Sequence, residues 1–219
     1  MIKHPLFVVI AVAACIGSGL FLDSSYVEIF GSVMGVINVW LLARQKLVSF
    51  LFGLIAVATF AYIYFDSGLY AMVVLSIVQL GFNVYGWYYW VKNKGEEDVT
   101  PTTKLSKKGI VLGVSVILIG TLIWSYFQVN YTDASSPYLD SLIAVMGLVA
   151  QYLLSKKILE NWLLWLAMGV MMLVVYAISG LYVLMVLKVI NMCISFDGYL
   201  EWRRNYYDNE QKEKTVEAA

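Results

Sequence analysis

The chain has 219 residues, 61% of them hydrophobic and 14% charged, with 15 basic side chains against 15 acidic ones. Soluble domains average about 45–50% apolar and about 25% charged residues, so most apolar groups here must face lipid or other membrane helices. Zero formal net charge leaves no basic excess to point to a nucleic-acid partner, and a single histidine, His4, excludes most metal and general-base chemistry.

A spanning helix needs about 20 mainly apolar residues. The chain offers such runs at 6–22, 27–43, 49–65, 69–90, 109–126, 139–154, 162–178 and 181–202. The first follows a weakly positive start (Lys3, His4), as a signal peptide would. Its apolar run is longer than a signal core, however, and further spans follow at once, so 1–22 predicts a retained membrane helix. Cys15 and Cys193 fall inside apolar runs, far apart in sequence, and read as buried thiols rather than a disulfide or a zinc site. The long polar connection, 91–108, carries Lys92, Lys94, Glu96, Glu97, Asp98, Lys104, Lys107 and Lys108. After Trp202 the chain turns polar, and 206–219 is expected as a frayed tail.

Basic residues collect at Arg44 and Lys46, in 92–108, at Lys156 and Lys157, and at Arg203 and Arg204; the alternate connections carry acids and small polar residues. Every loop fits one topology under the positive-inside rule, with both termini cytoplasmic. Eight helices satisfy it, and a core of seven remains if the first is interfacial.

Residues 23–93 recur as 135–205 at a constant offset of 112, with 20 identities over 71 positions and no gap. Ser67-Gly68-Leu69-Tyr70 returns as Ser179-Gly180-Leu181-Tyr182, and Gly86, Trp90 and Asn93 return as Gly198, Trp202 and Asn205. This reads as duplication. Each copy holds three helices, and the run at 109–126, within a connecting segment 94–134, restores the orientation between them. The fold class expected is therefore an all-α membrane protein with two parallel three-helix repeats, a linker helix (3+1+3) and an extra N-terminal helix. In such folds a substrate site lies between the copies near the bilayer midplane.

The offset pairs Gln79 with Asn191 at the centres of the third helices, and one turn on it pairs Asn83 with Ser195. Uncharged amides offer donors and acceptors for a polar ring, although in lipid they also serve as glue between helices. Asp197, paired with Tyr85, is an acid in an apolar run; it suits a cationic or amino-bearing substrate, or an interfacial ion pair with Arg203 or Arg204. Lys188, three residues before Asn191, opposes a cation; its long stem could snorkel towards the outer surface, or it could have an acid partner that the sequence does not reveal. Trp87, Trp90, Trp162, Trp165 and Trp202 sit near helix ends, where an interfacial belt is the ordinary reading and stacking on a flat substrate the functional one. The substrate-binding set read from these patterns is Gln79, Asn83, Asn191, Asp197, Trp87 and Trp165. No nucleotide-binding loop, catalytic set or cofactor motif is present, so the expectation is no enzyme, no cofactor and no metal. Gly35/Gly147 and Gly86/Gly198 read as points of close packing.

The strings Asn83-Val-Tyr-Gly-Trp-Tyr-Tyr-Trp90 and Asn161-Trp-Leu-Leu-Trp165, set in this repeat, resemble the Pnu family of bacterial vitamin transporters, whose architecture is similar to that of the SWEET sugar carriers. The resemblance covers about Tyr26 to Arg204. It implies facilitated diffusion of a vitamin across the inner membrane, trapping by a cytoplasmic vitamin kinase, and compatibility with a homo-oligomer. The family's cargoes include thiamine and nicotinamide riboside. Asp197 stands where the nicotinamide riboside carriers tend to have asparagine, and Ser76 where some have glutamine. A carboxylate can pair with an aminopyrimidine, so the expected substrate is thiamine, with nicotinamide riboside as the alternative. A substrate-binding subunit needing an energising partner is the reading from another class.

Overall fold

The computed structural model describes residues 5–66, 70–95, 99–132, 136–178 and 182–217, and these form eight helices. They are α1 (Pro5–Phe21), α2 (Tyr26–Ala43), α3 (Ser49–Asp66), α4 (Tyr70–Lys92), α5 (Lys107–Tyr131), α6 (Pro137–Ser155), α7 (Asn161–Ile178) and α8 (Tyr182–Glu217). Residues 67–69 and 179–181, which hold most of the shared Ser-Gly-Leu-Tyr string, lie outside the described residues. Among those described, α2, α3, α5 and α6 are long and apolar enough to cross a membrane, and α1 and α7 contain shorter apolar stretches.

Local chemistry sets the helix ends. Ser25 caps α2 through a capping box with Glu28, Ser106 caps α5, and Pro137 starts α6 where its missing N–H costs nothing. α2 and α6 stop in the same way. Gln45 and Lys157 take left-handed φ values of 58° and 55°. Lys46 N–H reaches Leu41 O at 3.0 Å while Gln45 N–H reaches Leu42 O at 2.9 Å; Ile158 to Leu153 and Lys157 to Leu154 repeat the pattern, each at 2.9 Å. This is the Schellman arrangement, which satisfies the last helical carbonyls, here without glycine.

The helices close a ring. α2 packs on α3, α3 on α4, α4 on α6, α6 on α7, α7 on α8, and α8 back on α2. α1 lies against α2 and α8, and α5 against α6. α5 exposes Val111, Leu112, Leu118 and Leu122 and buries only Ser125 among its described side chains, as a lipid-facing helix should.

The tail departs from expectation. α8 continues without a break to Glu217. The linker holds its polar stretch: Thr102 donates to Asn205 Oδ1 from its N–H (3.1 Å) and its hydroxyl (2.9 Å), and Lys104 Nζ meets the Tyr207 hydroxyl at 3.0 Å and lies over the Tyr206 ring. A polar sequence ordered by another polar segment carries no apolar signal, which is why composition alone reads it as frayed.

Candidate functional site

At the end of the bundle that carries the basic loops, four aromatic rings meet on the ring's axis. Trp90, Trp162, Trp202 and Phe50 are almost wholly buried. Phe50 meets Trp90 edge-on at 5.0 Å, Trp162 meets Trp202 edge-on at 5.4 Å, and Trp90 and Trp202 lie 5.4 Å apart. The expected interfacial belt is corrected here: these tryptophans form a central plug. Glycine makes the room. A Cβ on Gly86 would stand 2.7 Å from the Phe50 ring, and one on Gly198 would stand 2.7 Å from the Trp162 ring.

The plug is tied across the ring. Trp90 Nε1 donates to Leu154 O (3.3 Å) and Trp202 Nε1 to Leu42 O (3.1 Å), so the end of each third helix holds the end of the other half's first helix. The two donors are 112 residues apart, and so are the two acceptors. Arg44 bonds Asp197 at 2.8 Å, with the two side chains 14% and 17% exposed. The residues 112 away from this pair are Lys156 and Tyr85, and Lys156 Nζ lies 5.2 Å from the Tyr85 ring centre. Hydrogen bonding to the Tyr85 hydroxyl raises the Lys156 pKa.

On one side the linker straps the plug. Thr100 donates its hydroxyl to Trp90 O at 2.6 Å, and Thr103 pairs with the backbone of Lys157 and Leu159. Leu105 N–H reaches the Glu160 carboxylate at 3.1 Å. Lys157 is fully buried, donates to Thr100 O and places its ammonium 4.8 Å from the Trp90 ring centre. Burial pushes its pKa down to about 7.

Above the plug lies a cavity of about 560 Å³. Its lining runs from Ser24 and Glu28 at the α1–α2 turn to Leu42, Leu154 and Trp162, which belong to the plug, so the plug is its floor. That volume suits a small metabolite. Of the side chains singled out in the sequence, Gln79, Asn83, Asn191 and Trp165 line it together. Trp87 does not: it is exposed on the outer face of α4, one residue out of phase with Gly86. Asp197 does not line it either, because Arg44 holds it beside the plug rather than Arg203 or Arg204. Ser76 is buried and also off the lining.

Sequence reasoning missed Asn38 and Gln151 in the cavity, and it named Trp162 without including it in the binding set. Asn38 Oδ1 and Trp162 Nε1 are buried without a protein partner, an acceptor and a donor left over. Asn38 was findable as an uncharged amide in the middle of an apolar run, the signal that marked Gln79. Asn83 is anchored by its Nδ2 to Gln79 O at 3.1 Å, and Gly53 admits it, since a Cβ there would stand 2.7 Å from Asn83 Oδ1.

The family described as nicotinamide mononucleotide transporter matches residues 25–204. A nicotinamide riboside transporter, PnuC, of Escherichia coli K12 is 28% identical over 212 residues, covering 85% of this chain and 88% of that one. Another of that name from Neisseria mucosa is 24% identical over 197 residues, covering 84% of this chain and 74% of its own. In fold the chain is similar to the crystal structure of the vitamin B3 transporter PnuC, with a TM-score of 0.76 at 22% identity, over 93% of this chain and 91% of that one.

Proposed function

The chain belongs to the nicotinamide mononucleotide transporter family, multi-pass membrane transporters rather than enzymes, and on that premise we propose that it takes up a pyridine-nucleoside vitamin, nicotinamide riboside being the first candidate. The observation that carries this reading is the cavity lining. The amides Asn38, Gln79, Asn83, Gln151 and Asn191 stand with Trp162 and Trp165 around one space. A pyridinium ring stacks on an indole face with cation–π attraction, and a carboxamide supplies the donor and acceptor that Asn38 Oδ1 and Trp162 Nε1 lack.

Thiamine loses its footing on the same grounds. Its case rested on Asp197 and Ser76, and neither lines the cavity. The names of the relatives favour nicotinamide riboside as well.

We read 23–93 and 135–205 as two parallel copies whose shared floor is a cytoplasmic gate in the inner membrane, with the C-terminus on the same side. Facilitated diffusion, with trapping by a cytoplasmic kinase, is the mode this reading carries. Calorimetry on the purified protein tests the substrate: nicotinamide riboside should bind at least about tenfold tighter than thiamine. Equal or reversed affinities would return the cavity to thiamine. Uptake into vesicles without any ion gradient tests the mode, and a strict need for a gradient would overturn it.

A further inference from the structure

Lys188 lines the cavity, yet the reading above gives it no task. Its counterpart 112 positions earlier, Ser76, is off the lining, so the cation belongs to one half alone. The elements packed on α8 are α1, α2 and α7. α1 and α7 carry no charged side chain, and α2 carries only Glu28. Glu28 also lines the cavity, but its Oε2 takes the backbone N–H of Ser25 at 2.8 Å and its hydroxyl at 3.2 Å. Asp197, on α8 itself, is held by Arg44. Among the described residues no carboxylate forms an ion pair with Lys188.

A lone ammonium inside a bilayer is costly, and where one occurs it marks a pathway and demands a partner. Ser18, Ser24, Ser32 and Ser195 line the same cavity and add hydroxyls suited to an oxyanion. We propose that the missing partner is the substrate: Lys188 receives a carboxylate carried on the ring of the pyridine nucleoside. The cavity then selects a nucleoside bearing a negative charge over the purely cationic riboside. This rests on the pyridine-nucleoside reading and narrows it.

Calorimetry on the purified full-length protein provides the test, with nicotinamide riboside, nicotinic acid riboside and nicotinamide mononucleotide as ligands. Nicotinic acid riboside should bind about tenfold or more tighter than nicotinamide riboside, and nicotinamide mononucleotide binding tightest of the three overturns the proposal, because trapping requires that the phosphorylated product be refused. Lys188→Arg should keep the preference. Lys188→Met should cut it to roughly twofold. Nicotinamide riboside binding the unmodified protein as tightly as nicotinic acid riboside overturns the proposal without any variant. A preference that survives Lys188→Met overturns it too. Binding by none of the three overturns the pyridine-nucleoside reading, and this proposal falls with it.

Discussion

The floor and the cavity above it are both built from positions paired at the offset of 112, and they treat those pairs in opposite ways. At the floor the two halves agree: Trp90 and Trp202, Leu42 and Leu154, and Gly86 and Gly198 play matching parts. In the cavity they part company. Trp165 and Asn191 line it opposite Gly53 and Gln79, and Asn38 and Lys188 line it while Ala150 and Ser76 do not. A barrier between two halves gains from symmetry, because each half closes on the other with the same contacts. One asymmetric molecule is recognised only where the halves differ.

The floor gives the largest test of this contrast. Trp202→Ala removes a fully buried indole and its bond to Leu42 O, and about 3–5 kcal/mol of stability should go with it. Trp90→Ala should cost the same to within about 1 kcal/mol if the halves are equivalent there. Denaturant or thermal unfolding of the detergent-solubilised variants measures both, and a wide gap between them would break the symmetry of the floor.

One floor position is unequal by design. Lys157 and Gln45 share the left-handed turn, but only Lys157 can titrate. The ordinary lysine value is 10.5 and burial brings Lys157 to about 7. Between those values the unfolded chain holds a proton that the folded chain has released. Stability should therefore rise with pH from about 7, by at most ~1.4 kcal/mol per unit, and level off near the ordinary value. Unfolding midpoints across this range measure it, and Lys157→Met should flatten the profile while Gln45→Met leaves it in place.

The lateral ties come next. Asp197→Asn should cost about 1–3 kcal/mol, since it strips the charge from a largely buried ion pair. Tyr85→Phe, at the matching position, should cost about 0.5–1.5 kcal/mol. Neither should alter the ranking of ligands by calorimetry. A switch of ligand preference in Asp197→Asn would put that carboxylate back among the selecting groups.

Where sequence reasoning succeeded and failed follows from range. The spans were legible because lipid demands long apolar runs, and the midplane amides because a polar group stands out within one. The plug was not: a tryptophan buried on the bundle axis and one at the lipid surface both sit near helix ends, and only packing separates them. Trp87 failed by helical phase, since its neighbour Gly86 faces inward and Trp87 consequently faces out. Asp197 failed by distance, because its partner Arg44 lies 153 residues away and nearer cations were on offer at Arg203 and Arg204. The strap was hidden because its threonines look like any polar linker until their bonds to Trp90 O and Asn205 are seen.

The last test bears most directly on the cavity. Asn191→Ala should weaken nicotinamide riboside binding about tenfold, roughly 1.4 kcal/mol, with little change in unfolding. Asn191 is part-exposed to the cavity, so removing its amide leaves no buried partner stranded. Asn83→Ala should differ. That side chain is buried and tied to Gln79 O, so stability and affinity should fall together. Unfolding and calorimetry on both variants separate an amide that meets the ligand from one that holds a helix. If Asn191→Ala lost stability and kept its affinity, Asn191 would be glue between helices, and recognition would rest on Asn38, Gln151 and the two tryptophans.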